Sequence, residues 1–168
     1  MLGFVGCGNM AQAMLKGILQ KGLYQKDQII VSRRNEEALA QIHRQLGVET
    51  TTDNRKVAEK ADVLVLAVKP FQFESVIREI VEFVNMNTVV ISIAAGQSIA
   101  DIEGFFGKEI KLVRTMPNTP ALVLEGCTGV CAEENVTEED MEQVLALLRS
   151  FGIASVVPER LMDVVVGV

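Results

Sequence analysis

The stretch from Gly3 to Met14 constrains this chain more than any other. Leu2 to Val5 form a short apolar run that ends at glycine. Gly6-Cys7-Gly8-Asn9-Met10-Ala11 follows, and then Ala13, Met14, Leu15, Ile18 and Leu19 recur at helical spacing. The order is strand, tight turn, helix, with G-x-G-x-x-A at the turn. Gly6 permits a tight turn, Gly8 has no Cβ to keep a pyrophosphate from the backbone, and Ala11 lets the helix pack closely on the strand. The start of that helix offers free N–H groups and a partial positive charge to phosphates. The plain alternative is a glycine-rich turn without a ligand. The position of the turn, directly after a strand and before a helix, favours the dinucleotide loop.

The rest of the chain repeats the alternation. The first helix is expected from about Asn9 to Lys21, with Gly22 ending it. Ile29–Val31 reads as a strand, Asn35 as the cap of a helix through Leu46, and Gly47 as its stop. Val48–Thr51 is a short strand, and Asp53-Asn54 caps a brief helix. Val63–Val68 is a continuous apolar run, the mark of a strand covered on both faces. Lys69-Pro70 breaks it, and a helix carrying Val76, Ile77 and Ile80 follows. Thr88–Ile93 is a strand, and Ser98 caps the next helix. Strands are expected at Ile110–Arg114, Gly126–Ala132 and Ile153–Val157. The two prolines of Met116–Ala121 make that segment irregular, and Thr137 caps a helix through Leu148. This alternation predicts an α/β, doubly wound, mostly parallel sheet with helices on both faces. Ligands of such sheets bind outside the carboxyl ends of the strands. The loops at Gly6–Ala11, Ser32–Arg34, Ala67–Pro70, Ala94–Gln97 and Thr115–Ala121 should therefore meet at one crevice.

Composition excludes several classes. Hydrophobic residues make up 49% and charged residues 23%, a soluble globular balance, and the formal net charge of −6 with no basic cluster argues against nucleic acid. No transmembrane-length apolar run and no signal peptide is visible, and three cysteines make no disulfide framework, so a cytosolic compartment is expected. Cys127 and Cys131 fall on one face of a strand and read as structural thiols. No metal set, Ser-His-Asp set or Walker loop is present, and His43 is assigned no chemistry.

The second strand ends in Ser32-Arg33-Arg34, where an NAD site would carry an acid for the ribose 2′-hydroxyl. Two guanidiniums and a hydroxyl suit a 2′-phosphate, so NADPH is favoured, with NADH possible. The bland alternative is a pair of solvated arginines. Lys69 suits a proton donor or a carboxylate clamp, and equally a solvent-facing lysine before a proline that opens a helix. Ala94-Ala95-Gly96 is small enough for a cofactor to lie against the backbone, or is a simple strand-to-helix turn.

Taken together, these words resemble pyrroline-5-carboxylate reductase. The carriers are Gly3–Ala11, Asp53-Asn54, Leu66–Pro70, Ser92–Gly96 and Arg114–Pro120, colinear over nearly the whole chain. The resemblance implies reduction of Δ1-pyrroline-5-carboxylate, an imine, to L-proline, the last step of proline biosynthesis. It implies that Gly6, Cys7, Gly8, Asn9, Met10 and Ala11 hold the pyrophosphate, and that Ser32 and Arg34, beside Arg33, flank the 2′-phosphate. Asn54 would contact the adenosine side, and Ala67, Val68, Lys69, Pro70, Ala94, Ala95 and Gly96 would line the cofactor track. Met116, Pro117, Asn118 and Thr119 would form the substrate-side loop by the nicotinamide. No acid or base is assigned.

The family continues into a helical domain that completes the substrate pocket and builds a homo-oligomer. Residues 1–158 are accordingly expected to form the dinucleotide-binding domain. Residues 159–168 should start a linking helix, frayed or buried against a neighbouring chain, and the chain by itself should not turn over. Two other readings remain: a non-catalytic NADP-binding or interaction module, and a related imine or hydroxyacid dehydrogenase.

Overall fold

The computed structural model describes residues 1–165. Its eight strands are β1 (Leu2–Val5), β2 (Ile29–Ser32), β3 (Glu49–Thr51), β4 (Val63–Leu66), β5 (Val89–Ser92), β6 (Lys111–Met116), β7 (Gly126–Ala132) and β8 (Gly152–Val156). They form one sheet in the order β3-β2-β1-β4-β5-β6-β7-β8. All neighbours pair in parallel except β6 and β7, where Arg114 stands opposite Cys131 in an antiparallel ladder. The order reverses direction at β1, between β2 and β4, which is where doubly wound sheets open a crevice.

The helices are α1 (Asn9–Gln20), α2 (Glu36–Leu46), α3 (Asn54–Lys60), α4 (Phe73–Ile80), α5 (Ile99–Phe106), α6 (Glu138–Arg149) and α7 (Met162–Val165). Their starts follow local chemistry. Asn35, Asp53, Ser98 and Thr137 each accept a backbone N–H of the helix they precede. Gly47 and Gly107 end α2 and α5 in the left-handed conformation.

Each central strand is buried along its whole length and feeds two cores. Leu2, Phe4, Val63, Val65 and Ile91 point to a face covered by α1, α2 and α6, where Met14, Ile18, Ile42 and Leu148 pack. Val5, Leu64, Leu66, Val90 and Leu112 point to the face of α3, α4 and α5, where Val57, Ile77 and Ile102 pack. Alternation sends successive side chains to opposite faces, so a strand must be apolar throughout when both faces are covered. Each such side chain contributes about 1.5–3 kcal/mol on burial. Gly3 belongs to this arithmetic: a Cβ there would lie 2.7 Å from Val57 and 2.8 Å from Ala61, so the glycine lets α3 close on β1.

Two expectations need amendment. The strand expected to stop at Arg114 runs on to Met116, because Thr115 and Met116 pair with Val130 and Gly129 of β7. The segment after Val157 is not loose where it is described. Met162 is fully buried in the core beside α5, and Arg114 bonds both Glu159 and Asp163. Val164 is exposed as expected, while residues 166–168 lie outside the described residues.

Candidate dinucleotide site

The carboxyl ends of β1, β2, β4 and β5 open into a cavity of about 600 Å³, a size that suits a small-molecule or cofactor site. Gly6 to Ala11, Arg33, Arg34, Asn54, Ala67 to Pro70, Ala94, Ala95 and Pro117 line it. The loops expected to converge do so.

The floor is the turn from β1 into α1. Gly6 has φ +89°, and a Cβ there would lie 2.7 Å from Ala67 O, so both conformation and space require glycine. Its N–H is held by Ser32 O at 3.1 Å. Gly8 differs. Its φ is −83°, and nothing lies within 4 Å of where a Cβ would stand. The fold does not demand glycine at Gly8; what the missing side chain leaves is open room above the loop.

The start of α1 is equally bare. Its first internal bond runs from Gln12 N to Gly8 O, 3.0 Å, no side chain caps it, and its first turn holds no acid. Among the described residues the amides of Asn9, Met10 and Ala11 have no protein partner and border the cavity. By contrast, α2, α3, α5 and α6 are all capped by side chains. A bare helix start with its dipole aimed into a cavity is chemically suited to an anion. Cys7, between the two glycines, is buried, and burial pushes its thiol up to about 12 against the pull of Arg33. It is inert at neutral pH.

At the β2 end the two arginines separate. Arg33 Nη1 donates to Cys7 O at 3.1 Å, and Gln12 Nε2 reaches the same oxygen at 3.3 Å. Arg33 thus braces the glycine loop from the cavity wall. Arg34 is exposed, lines the cavity and makes no ion pair among the described residues. Asn54, at the start of α3, completes this end: Nδ2 donates to Glu79 at 3.4 Å, and Oδ1 accepts from Ser32 Oγ at 2.6 Å.

On the opposite wall, Lys69 is exposed with no ion pair among the described residues, and its N–H donates to Gln72 Oε1. Gln97 Nε2 donates to Pro70 O at 3.3 Å and so ties the β4 loop to the β5 loop.

Several named residues lie elsewhere. Ser32 is fully buried and does not border the cavity. As the last residue of β2 it points its hydroxyl inward. Gly96, Met116, Asn118 and Thr119 do not line the cavity either. Met116 is buried at the end of β6, and Asn118 Oδ1 accepts from Cys127 N at 2.8 Å, which fastens the loop to β7. Conversely, Asn35, Gln72, Val76 and Ile93 border the cavity without having been singled out. Gln72 carried the one available signal, a polar side chain three residues after Lys69 at a proline-opened helix.

Among the described residues there is no group of His, Cys, Asp and Glu fit to hold a metal ion, and no helix long and apolar enough to cross a membrane.

Fold and site together define a domain of the Rossmann type, with a glycine turn and an uncapped helix start at its crevice. Comparison with known proteins gives the finer placement. Residues 1–96 match the family described as NADP oxidoreductase, coenzyme F420-dependent, and the chain belongs to that family. It is 40% identical over 99% of its length to the pyrroline-5-carboxylate reductase of Escherichia coli K12, of which it spans 62%. The solved pyrroline-5-carboxylate reductase of Coxiella burnetii superposes with TM-score 0.89 at 37% identity, covering 94% of this chain and 58% of that one. The Plasmodium falciparum enzyme, solved with NADP bound, gives TM-score 0.87 at 31% identity, covering 97% and 59%. The resemblance read from the motifs is borne out, and the chain spans about three fifths of the length of these relatives.

Proposed function

We propose that this chain is the cofactor-binding domain of a reductase that converts Δ1-pyrroline-5-carboxylate to L-proline with NADPH. The bare α1 start carries the reading: three free amides and the open space over Gly8 border one cavity with Arg34. That donor set fits a pyrophosphate and a second phosphate. Identity to pyrroline-5-carboxylate reductases over nearly the whole chain supports the substrate.

NADPH held there would supply the hydride that reduces the carbon of the protonated imine. The residues of this chain bind and orient. Asn9, Met10 and Ala11 donate backbone N–H groups to the pyrophosphate, and Gly8 leaves it room. Arg34 takes the 2′-phosphate while Arg33 keeps the loop in shape. Lys69 adds positive charge on the wall opposite the arginines. Ala94 and Ala95 present a small-residue surface, and Pro117 of the Met116–Thr119 loop borders the cavity.

The dinucleotide-binding domain in this reading includes the segment through Asp163 that Arg114 and the core hold, and a further part of the protein completes the substrate pocket and the homo-oligomer. The assembled protein works in the cytoplasm.

The test is turnover by the intact gene product. NADPH oxidation should depend on Δ1-pyrroline-5-carboxylate and yield proline. Oxidation driven instead by a 2-keto or 3-keto acid would assign the cavity to a hydroxyacid dehydrogenase, and binding without any turnover would make it a non-catalytic module.

A further inference from the structure

The segment between β6 and β7 closes on itself through Asn118. Asn118 Oδ1 accepts the Cys127 N–H at 2.8 Å, across nine positions of sequence. A backbone N–H can only donate, so this bond fixes which way the amide stands, with its oxygen turned in to β7. Backbone bonds complete the closure. Ala121 N–H reaches Asn118 O, and Glu125 N–H reaches Pro120 O, both at 3.0 Å. Gly126 lets the two limbs meet, since a Cβ there would lie 3.0 Å from the Ala121 side chain. Leu124 ends the turn at φ +61°, the one left-handed residue other than glycine among the described residues. Such a conformation persists only where its surroundings over-determine it.

One residue before Asn118, Pro117 borders the cavity, while Asn118 itself does not. With phosphates at the α1 start and at Arg34, the nicotinamide falls at the opposite end, among Ala94, Ala95 and Pro117. We infer that Asn118 is a positioning residue for the reduction: its Oδ1, on the Cys127 amide, sets where Pro117 stands against the nicotinamide end of the cavity. This rests on the reductase reading of the site. Hydride transfer needs its two carbons about 3–3.5 Å apart, and a displacement of about 1 Å costs about a hundredfold in rate. The groups that bind the phosphates lie away from this segment. Loosening it should therefore cost turnover and leave cofactor affinity in place.

Asn118→Ala and Asn118→Asp, made in the intact gene product, test this. Aspartate keeps an oxygen for the Cys127 N–H and has no side-chain NH2 to give; alanine has neither. Asn118→Ala should lower kcat for Δ1-pyrroline-5-carboxylate at least about tenfold, with the Kd for NADPH within about twofold of the parent. Asn118→Asp should keep kcat within about threefold of the parent. Hydrogen exchange at the Cys127 amide should quicken in Asn118→Ala and stay at the parent rate in Asn118→Asp. A kcat lost equally in both variants, with the Cys127 amide still protected in Asn118→Asp, would mean that the NH2 meets the ligand and would overturn the inference. So would a parent-like kcat in Asn118→Ala with fast exchange, or a loss of kcat matched by equal losses of NADPH binding and of the urea midpoint. A parent protein without turnover of Δ1-pyrroline-5-carboxylate would overturn the reductase reading itself, and this inference with it.

Discussion

Arg114 Nη2 donates to Asp163 Oδ1 at 3.0 Å, from a guanidinium 3% exposed to a carboxylate 76% exposed. Arg114 Nη1 lies 3.3 Å from Glu159 Oε1, and that same oxygen accepts the N–H of Ile99 at the start of α5 at 2.8 Å. One buried cation in β6 thus holds the segment that carries Met162 into the core. The arrangement is asymmetric, because the desolvated partner is the arginine. Replacing it by an apolar side chain removes the charge that needed compensation. Removing both carboxylate charges leaves it stranded.

The double change Glu159→Gln, Asp163→Asn should therefore destabilise the domain by about 3 kcal/mol. Arg114→Met should cost clearly less. Asp163→Asn alone should have only a small effect, since its carboxylate is largely in water. Urea denaturation of the three variants checks the order. A larger loss for Arg114→Met than for the double change would contradict it.

The two glycines of the first turn should separate binding from folding. Gly8→Val fills space that is empty in the protein, so its circular dichroism and melting midpoint should match the parent while NADPH binding is lost. Gly6→Val puts a β-branched residue at φ +89° against Ala67 O, and should destabilise by more than about 2 kcal/mol. Retained NADPH binding in Gly8→Val would show the open space to be unused.

Arg34 and Arg33 should behave differently. Arg34→Asp is expected to weaken NADPH by about 1.5–3 kcal/mol, the loss of a charged hydrogen bond, with NADH little changed. Arg33→Ala frees the Cys7 carbonyl from one donor and should weaken both dinucleotides together. Calorimetric titration distinguishes the two patterns.

Alkaline pH should expose the buried thiols. Burial raises Cys7 from 9.0 to about 12 and Cys131 from 9.0 to about 11. In the unfolded chain both lose their protons first, so the stability from keeping them neutral is whole below pH 9. It is lost as pH rises through 11 for Cys131 and 12 for Cys7. The urea midpoint of the parent should fall more steeply between about pH 8 and about pH 10.5 than that of the Cys7→Ala, Cys131→Ala variant. Parallel slopes would contradict the assignment.

The central strands were readable because double burial forces unbroken apolar runs such as Val63–Leu66. The helix starts were readable because Asn35, Asp53, Ser98 and Thr137 are chemically suited to free amides. Strand direction leaves no comparable trace. The side chains of β7 alternate alike whether it runs with or against β6, and only the ladder joining Arg114 to Cys131 reveals it. Ser32 shows the limit at the site. A serine at a strand end reads as a ligand, and whether its hydroxyl turns to the cavity or to Asn54 depends on α3, a contact between residues 22 apart in sequence. Met162 likewise looked like part of an exposed apolar tail until the fold supplied its pocket.

The most direct test is an amide-resolved NMR titration of the domain with NADPH. The N–H signals of Asn9, Met10 and Ala11 should move downfield and saturate together, while those of Ala38, Arg55, Asp101 and Asp140, already bonded to caps, stay in place. Saturation of NADPH binding with the α1 amides unmoved, or no binding at all, would contradict a pyrophosphate seated on that helix start.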